Sequence, residues 1–335
     1  MVVVAFLFLI SYLRYGVNPF HVAAFRRPVQ SKRPVLGEQN AVATFLAGRW
    51  KDDWEEDRYF TATRVMAYQL LHQPTTRTQQ NITFLVLVTP YVSKAKRKVL
   101  EAEGCTVIPV DLIEPEGPVN PLFDRWIDMF SKLHLFRLTE YNRILYLDND
   151  HLVTQPLDGI FDEEVVQTVV STDFNDSMIP EDEPRPPETF VLAGVGDNFD
   201  ETHSYPPEQT DYLNAGFFVL RPDLELFEYY KKMMNLPDKY DQASMEQNML
   251  NYVHRWAGPM PWQTLPPGKW NCNYPTVGDL EGGAATLHDK FWEYDNRDWI
   301  DRTLVEMWWR VQGQMEGFWQ KDRAQERLNG FWSKL

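Results

Sequence analysis

Two carboxylates stand two residues apart at the end of an apolar stretch, in the order Asp148-Asn149-Asp150. Residues 144–147, which precede them, predict a buried strand. Side chains at positions i and i+2 of an extended chain share one side, so both carboxylates can reach one hard divalent cation. Such a cation can bridge two phosphates and stabilise a diphosphate leaving group. The alternative for an acidic pair is a solvated turn or a helix cap.

The segments around this pair alternate between strand and helix patterns. We predict strands over residues 41–47, within 81–90, over 106–110 and over 144–147, and helices over residues 58–72, 93–104 and 126–138. This alternation predicts a single α/β domain with a mostly parallel, doubly wound sheet that is flanked by helices. Ligands of open α/β sheets lie beyond the carboxyl ends of the strands, and the acidic pair stands at such an end.

The composition restricts the possible functions. Of the 335 residues, 44% are hydrophobic and 24% are charged, and the formal net charge is −15. These values suit a packed globule and argue against a disordered chain. The acidic excess argues against a nucleic-acid partner, because binding to a phosphate backbone needs clustered Lys and Arg. It leaves room for a small phosphorylated ligand whose charge a metal neutralises.

The N-terminus carries one apolar run, residues 2–13, which ends at Arg14. A spanning helix needs about 20 apolar residues, so this run is short. Two interpretations stay open, a membrane anchor and a buried or interfacial segment. The Pro- and Arg-bearing residues 16–39 resemble a stem. We expect an anchor and stem at residues 1–39, then one domain at residues 40–335 with a C-terminal helical extension, whose aromatic residues recur at helical spacing.

Five segments, in order along the chain, resemble glycosyltransferase family 8, of which glycogenin is a member. They are FLVLVTPYVSKAKRKVLEAEGCTVIPVDLI, MFSKLHLFRLTEYNRILYLDNDHLVTQPLDGIFD, YLNAGFFVLRP, EQNMLN and LHDKFW. They are distributed over residues 84–292. More narrowly, the sequence resembles the fungal Golgi branch of N-acetylglucosaminyltransferases. The resemblance implies a GT-A fold and a Golgi membrane protein with a lumenal catalytic domain and single-pass type II topology, with a cytoplasmic protein as the alternative.

The resemblance also implies a metal site. Asp148 and Asp150 match the D-x-D motif, and His288 matches the third protein ligand of the family. The implied ion is Mn²⁺ or another divalent cation, and an imidazole ligand suits manganese better than magnesium. On the residues alone, a histidine that follows a Thr-Leu pair could equally be an ordinary residue at a strand end.

The remaining implied contacts belong to the donor and to catalysis. Lys132 matches a lysine that contacts the donor sugar or a phosphate, and Lys290 is a further phosphate contact in a compressed version of the family's lysine segment. For the ring that faces the nucleotide base we prefer Tyr59, with Tyr68 as the alternative register. The other donor contacts are expected from Leu46, Ala47, Asn149, Asn214 and Gly216.

The catalytic residues expected from the resemblance are Gln247, Glu246 and Lys132, the first two of which form the pair Glu246-Gln247. The family pattern has Asp-Gln here, so Glu246 is longer by one methylene and Gln247 is the better candidate to stabilise a cationic sugar. The implied activity is retaining transfer of N-acetylglucosamine or a hexose from a UDP-sugar to a hydroxyl of a glycan or glycoprotein acceptor. The alternatives are a glycogenin-like self-glucosylating primer and an inactive glycan-binding relative.

Overall fold

The computed structural model describes residues 39–49, 57–174, 178–296 and 300–332. The described residues belong to one compact unit, Val35–Leu335. The predicted anchor and stem lie outside them, apart from Gln39. The domain boundary at residue 40 therefore stays a prediction.

The strands are β1 (Gln39–Leu46), β2 (Thr83–Val88), β3 (Thr106–Pro109), β4 (Tyr141–Leu147), β5 (His151–Val153), β6 (Val170–Ser171), β7 (Thr189–Phe190), β8 (Leu192–Gly196), β9 (Leu213–Leu220), β10 (Gln263–Thr264), β11 (Cys272–Asn273) and β12 (Thr286–His288). The α-helices are α1 (Arg58–Leu71), α2 (Lys94–Ala102), α3 (Glu164–Gln167), α4 (Leu224–Met234), α5 (Met245–Val253), α6 (Val277–Gly282) and α7 (Arg302–Trp332).

A seven-stranded sheet forms the centre, in the order β10-β8-β9-β4-β1-β2-β3. The pairs β4-β1, β1-β2 and β2-β3 are parallel, whereas β9 is antiparallel to β4 and to β8. Helices cover both faces of these strands, so β1, β2 and β4 read as nearly continuous apolar runs. The α/β prediction with a mostly parallel sheet is confirmed. A smaller sheet, β11-β12-β5, lies beside it.

One predicted helix has a different conformation. Residues 126–138 form 3₁₀ turns, Asp124–Trp126 and Met129–Arg137, instead of an α-helix. Seven consecutive residues, 130–136, are buried in the second of these. This burial on every side differs from the single apolar stripe of an amphipathic helix.

The C-terminal helix α7 packs against α1. Leu304 and Trp308 of α7 and Val65 of α1 are fully or almost fully buried in the same hydrophobic cluster. A row of aromatic rings extends from this contact to the start of α1. Trp292 lies between Trp308 and Tyr59, at centroid distances of 5.5 and 5.4 Å. The C-terminal helix thereby supports the start of α1.

Among the described residues, no helix is both long enough and apolar enough to cross a bilayer. The longest, α7, has 31 residues but carries charged side chains such as Arg302, Glu306 and Arg310. This finding contradicts the predicted single-pass Golgi localisation. The apolar run of residues 2–13, on which that prediction rested, lies outside the described residues.

Candidate functional site

A cavity of about 1050 Å³ opens at the carboxyl ends of β1 and β4. Its walls also come from the first half of β9, the start of α5 and the end of β12. Every residue that the sequence predicts as a site residue lines it, namely Leu46, Ala47, Tyr59, Lys132, Asp148, Asn149, Asp150, Asn214, Gly216, Glu246, Gln247, His288 and Lys290. The fold therefore brings together residues that lie as far as 244 positions apart in the chain (290 − 46).

Asp148 is the first residue after β4, and its backbone still follows the sheet. Its N–H donates to the Gly216 carbonyl at 2.8 Å. Its side chain accepts hydrogen bonds from the Tyr146 hydroxyl and from Lys132 Nζ, the latter at 3.0 Å. About a third of the side chain (30%) stays exposed to the cavity, so Asp148 is anchored and still accessible to a ligand.

Asp150 lies deeper and is surrounded by positive groups. His288 Nε2 is 3.1 Å from its Oδ1, and Lys290 Nζ is 2.7 Å from its Oδ2. Burial alone would raise the pKa of Asp150, but Lys290 and His288 hold it well below its usual range. Burial would lower the pKa of His288, yet the Asp150 carboxylate raises it. Asp150 is therefore a buried carboxylate that stays ionised.

Gly216 provides the space in which these side chains meet. A Cβ atom at this position would overlap His288 Cε1 and would lie 3.1 Å from Asp148 Oδ2. His288 and Asp148 therefore converge directly above a backbone that carries no side chain. Asn214, two residues earlier on the same strand, also lies within this space, since its Oδ1 would be 2.9 Å from that Cβ.

The donor atoms of this cluster fit a divalent cation. Two ligands at right angles on an ion with bonds of about 2.2 Å are separated by about 3.1 Å. Asp150 Oδ1 and His288 Nε2 have this separation, 3.1 Å. Asp150 and His288 offer a mixed oxygen and nitrogen set that suits Mn²⁺, and Asp148 Oδ2 borders the same space at Gly216.

Lys132 connects the metal side of the cavity to α5. Its ammonium group contacts Asp148 Oδ1 at 3.0 Å and Glu246 Oε1 at 2.7 Å. Burial would lower the pKa of Lys132, but the two carboxylates raise it above its ordinary value. Burial raises the pKa of Glu246, and Lys132 offsets part of that effect. Glu246 follows Met245, whose φ of +46° is a strained conformation of the kind that functional sites retain.

Gln247 and Asn214 are held in place by the backbone of β9. Gln247 Oε1 accepts from the Ala215 N–H at 3.0 Å, and Asn214 Oδ1 accepts from the Gly216 N–H at 2.9 Å. Two residues that the sequence did not predict, Asp197 and Asn273, support Asn214 here. Asp197 accepts from Asn214 Nδ2 at 3.1 Å and from Asn273 Nδ2 at 2.6 Å, and both partners line the cavity. The only local signal was that Asp197 follows a short Gly-containing strand.

The opposite wall of the cavity follows β1. Leu46 and Ala47 end this strand, and the half-buried Tyr59 opens α1 beside them. Asn149 is buried, and its Nδ2 donates to the Phe45 carbonyl at 3.2 Å, so it fastens the β4 end to β1. The alternative Tyr68 does not line the cavity. It is buried in the cluster under α7, 5.5 Å from the Phe318 ring.

His151 is a second residue that the sequence analysis missed. It follows Asp150 directly, and its ring stacks on that of His288 at a centroid distance of 4.0 Å. Together with Asp150 these two histidines form a group whose possible ligand atoms lie within 4.8 Å of one another. The signal in the sequence was a histidine immediately after the D-x-D motif.

No family model matches the sequence. Two uncharacterized proteins of Schizosaccharomyces pombe are similar to it. C4C3.09 is 32% identical over 289 residues, which are 79% of this chain and 76% of that protein. C5H10.12c is 29% identical over 319 residues, which are 86% of this chain and 84% of that protein. Human glycogenin-1 is 25% identical over 205 residues, which are 60% of this chain and 47% of glycogenin-1.

Solved structures share the fold. The galactosyltransferase LgtC, in complex with donor and acceptor sugar analogs, aligns over 82% of this chain and 96% of its own, with a TM-score of 0.51 and 17% identity. The bifunctional glycosyltransferase WbbM aligns over 83% of this chain and 50% of its own, with a TM-score of 0.53 and 13% identity. The predicted GT-A fold is confirmed.

Proposed function

The chain belongs to one family with the protein C4C3.09 of Schizosaccharomyces pombe, and from its site we propose that it is a retaining, metal-dependent glycosyltransferase with a UDP-sugar donor. The similarity to glycogenin-1 supports this proposal, as does the GT-A fold. The transferred sugar is a hexose or N-acetylglucosamine, the latter following the resemblance to the fungal N-acetylglucosaminyltransferases. The acceptor is a hydroxyl of a glycan or glycoprotein.

The contact of His288 with Asp150, next to Gly216 where His288 Cε1 and Asp148 Oδ2 meet, is the observation that carries the proposal. These three side chains would hold the divalent cation. When bound, the cation offsets the negative charge that develops on a diphosphate leaving group. Burial of an ionised Asp150 is costly unless positive groups accompany it, and His288 and Lys290 accompany it here.

The protein's own cations complete the charge balance around a diphosphate. Lys290 Nζ and Lys132 Nζ each already contact a carboxylate of the D-x-D pair, at 2.7 and 3.0 Å. Both lysines line the cavity, so a short side-chain movement brings either ammonium to a phosphate or a sugar hydroxyl. We assign this role to both of them.

Glu246 and Gln247 have different roles on the side of the cavity where the sugar would bind. The longer side chain of Glu246 reaches Lys132 at 2.7 Å and orients its ammonium. Gln247 is fixed at both ends, since its Oε1 accepts from Ala215 N–H and its Nε2 donates to the Tyr212 hydroxyl at 3.3 Å. A preorganised amide beside the reacting sugar stabilises developing charge without having to reorient. Tyr59 contributes a ring to the base pocket framed by Leu46 and Ala47.

The test is release of UDP from a panel of UDP-sugars, measured with Mn²⁺ and with excess EDTA. We expect turnover with at least one UDP-sugar, and loss of that turnover in EDTA. Tight Mn²⁺ binding without turnover of any UDP-sugar would instead identify an inactive glycan-binding relative. Intact mass of the protein after incubation with UDP-glucose distinguishes a self-glucosylating primer, whose mass would rise in steps.

A further inference from the structure

His151 and His288 are directly opposite each other on neighbouring strands. β5 and β12 pair in antiparallel register, with His151 opposite His288. Their rings lie 4.0 Å apart between centroids, with an angle of 19° between the planes. His151 is only 1% exposed, so this stack is enclosed by the protein. Cross-strand pairs are close enough for such ring contacts to fix side-chain orientation.

The ring of His288 lacks the hydrogen bond that normally orients a metal-binding histidine. Such a histidine usually donates its second ring N–H to a carboxylate or a carbonyl, which fixes both the tautomer and the ring plane. In His288 the nitrogen that faces away from Asp150 is Nδ1. It is buried and has no hydrogen-bond partner among the described residues. Another contact must therefore hold the ring.

His151 has the anchor that His288 lacks. Its Nδ1 lies 2.7 Å from the Asp148 carbonyl oxygen, so its N–H donates to the backbone of the D-x-D segment. This bond, together with burial, fixes the plane of the His151 ring. The flat face of an immobilised ring then restricts how the His288 ring can turn about its Cβ–Cγ bond.

The same geometry argues against His151 as a further ligand of the ion. Distance alone would permit it, since the candidate ligand atoms of Asp150, His151 and His288 lie within 4.8 Å. However, ring nitrogens bind a metal in the plane of the ring, and two stacked rings direct their in-plane lone pairs nearly parallel. Ligands of one ion must instead converge on it.

We propose that His151 is a positioning residue for the metal site: its anchored ring, stacked on His288, holds His288 Nε2 toward Asp150 and the ion. The inference rests on the proposed metal-dependent function. It assigns to ring stacking the role that a second hydrogen bond has in other metal-binding histidines.

Two substitutions separate stacking from ligation. His151→Phe keeps a flat ring but has no nitrogen, whereas His151→Leu fills the space without a flat ring. The measurement is the affinity for Mn²⁺ alone, without donor, by electron paramagnetic resonance of free Mn²⁺. We expect H151L to weaken binding by about tenfold or more, which is the usual effect of losing an orienting partner. H151F should stay within about threefold of the wild type, because burial still holds a flat ring against His288 after the bond to the Asp148 carbonyl is lost.

His72→Leu is the matched control, because His72 is a half-buried histidine outside the cavity and should bind Mn²⁺ like the wild type. Circular dichroism and Tm establish that each variant is folded. Equal losses in H151F and H151L would overturn the inference, because an enclosed flat ring stacked on His288 would then not be enough to hold it. Wild-type affinity in H151L would overturn it as well. A wild-type protein that does not bind Mn²⁺ would overturn the proposed metal site itself, and the inference with it.

Discussion

Gly216 has no side chain, and the side chains of His288 and Asp148 pack directly against its backbone. In Gly216→Ala the new methyl group would overlap His288 Cε1 and crowd Asp148 Oδ2, which would lie at 3.1 Å. Because His288 must move away, we expect Mn²⁺ affinity to fall at least tenfold, with a stability loss of about 1–3 kcal/mol from overpacking. Titration with Mn²⁺ and a denaturant melt measure the two effects.

The control for this substitution is Gly313→Ala on α7, where a Cβ would meet nothing within 4 Å. Its Mn²⁺ affinity should equal that of the wild type, and the helix should gain about 0.5–1 kcal/mol. Unchanged Mn²⁺ affinity in G216A would mean that His288 does not bind the ion from its observed position.

The two carboxylates of the D-x-D motif have different surroundings, so their loss should have different consequences. Asp150→Asn leaves Lys290 and His288 beside a neutral amide, whereas Asp148→Asn leaves Lys132 with Glu246 as its remaining partner. We expect both variants to lose most of the metal-dependent UDP release. D150N should also lose more stability, since breaking a buried ionic contact costs about 3–5 kcal/mol.

These activities are measured as UDP release over a series of Mn²⁺ concentrations, and stability is measured by Tm. Near-native turnover of either variant at low micromolar Mn²⁺ would contradict the metal assignment. A D148N protein less stable than D150N would contradict the difference in burial on which the second expectation rests.

At the scale of elements, patterns in short stretches of sequence predict the strands and helices that neighbouring residues form. The apolar runs of β1, β2 and β4 and the Ser93 cap of α2 follow from periodicity and capping, and the structure contains all of them. The bond from His288 to Asp150 spans 138 positions and depends on β12 pairing with β5. No local pattern specifies that pairing, so only the resemblance could place His288 at the site.

The structure also shows why other features could not be predicted from the sequence. The stack of His151 on His288 and the bonds of Asp197 to Asn214 and Asn273 join separate strands and loops. The residues of Met129–Arg137 favour a helix without specifying its type, so the 3₁₀ form could not be predicted from them. The site could be predicted through its motifs, and its supporting contacts could not.

His254 joins three elements and should make stability depend on pH. It caps α5, its Nδ1 donates to the Met260 carbonyl at 2.7 Å, and its Nε2 accepts from the hydroxyl of Tyr230 on α4 at 2.6 Å. Burial lowers its pKa from 6.5 to about 4. Between these values the unfolded chain binds one proton more, so the free energy of unfolding falls as pH decreases from 6.5 to 4 and changes little outside that window.

The expected contribution is about 3 kcal/mol across this window, at 1.36 kcal/mol per pKa unit. His254→Gln removes the titration but can still donate and accept a hydrogen bond. We expect H254Q to be less stable than the wild type at pH 7 and the difference to shrink as the pH falls to 4. Urea melts of both proteins at several pH values measure it, and the other histidines cancel in the comparison. Parallel pH profiles would show that His254 is not the source.

At the scale of the whole molecule, the cavity gathers residues from both halves of the chain. β1 and α1 supply one wall, β4 and β9 the floor, and α5 and β12 the other wall. A ligand in this cavity therefore contacts elements that must all be folded at once. Because it binds only the native state, it should stabilise the entire unit by RT ln(1 + [L]/Kd), about 2.7 kcal/mol at a hundredfold excess over Kd.

The net charge of −15 makes this stabilisation depend on the cation. A diphosphate that enters this cavity meets, among the described residues, eight carboxylates and only five cationic side chains, Arg49, Arg58, Arg125, Lys132 and Lys290. UDP alone should therefore raise Tm little, Mn²⁺ alone should raise it moderately, and both together should raise it by more than the sum of the two shifts. Differential scanning fluorimetry of the wild type measures the three shifts, with D150N as the control that should lose the combined effect. An equal rise with UDP in the presence of EDTA would mean that the nucleotide binds without the ion, and that the cations of the protein alone balance its charge.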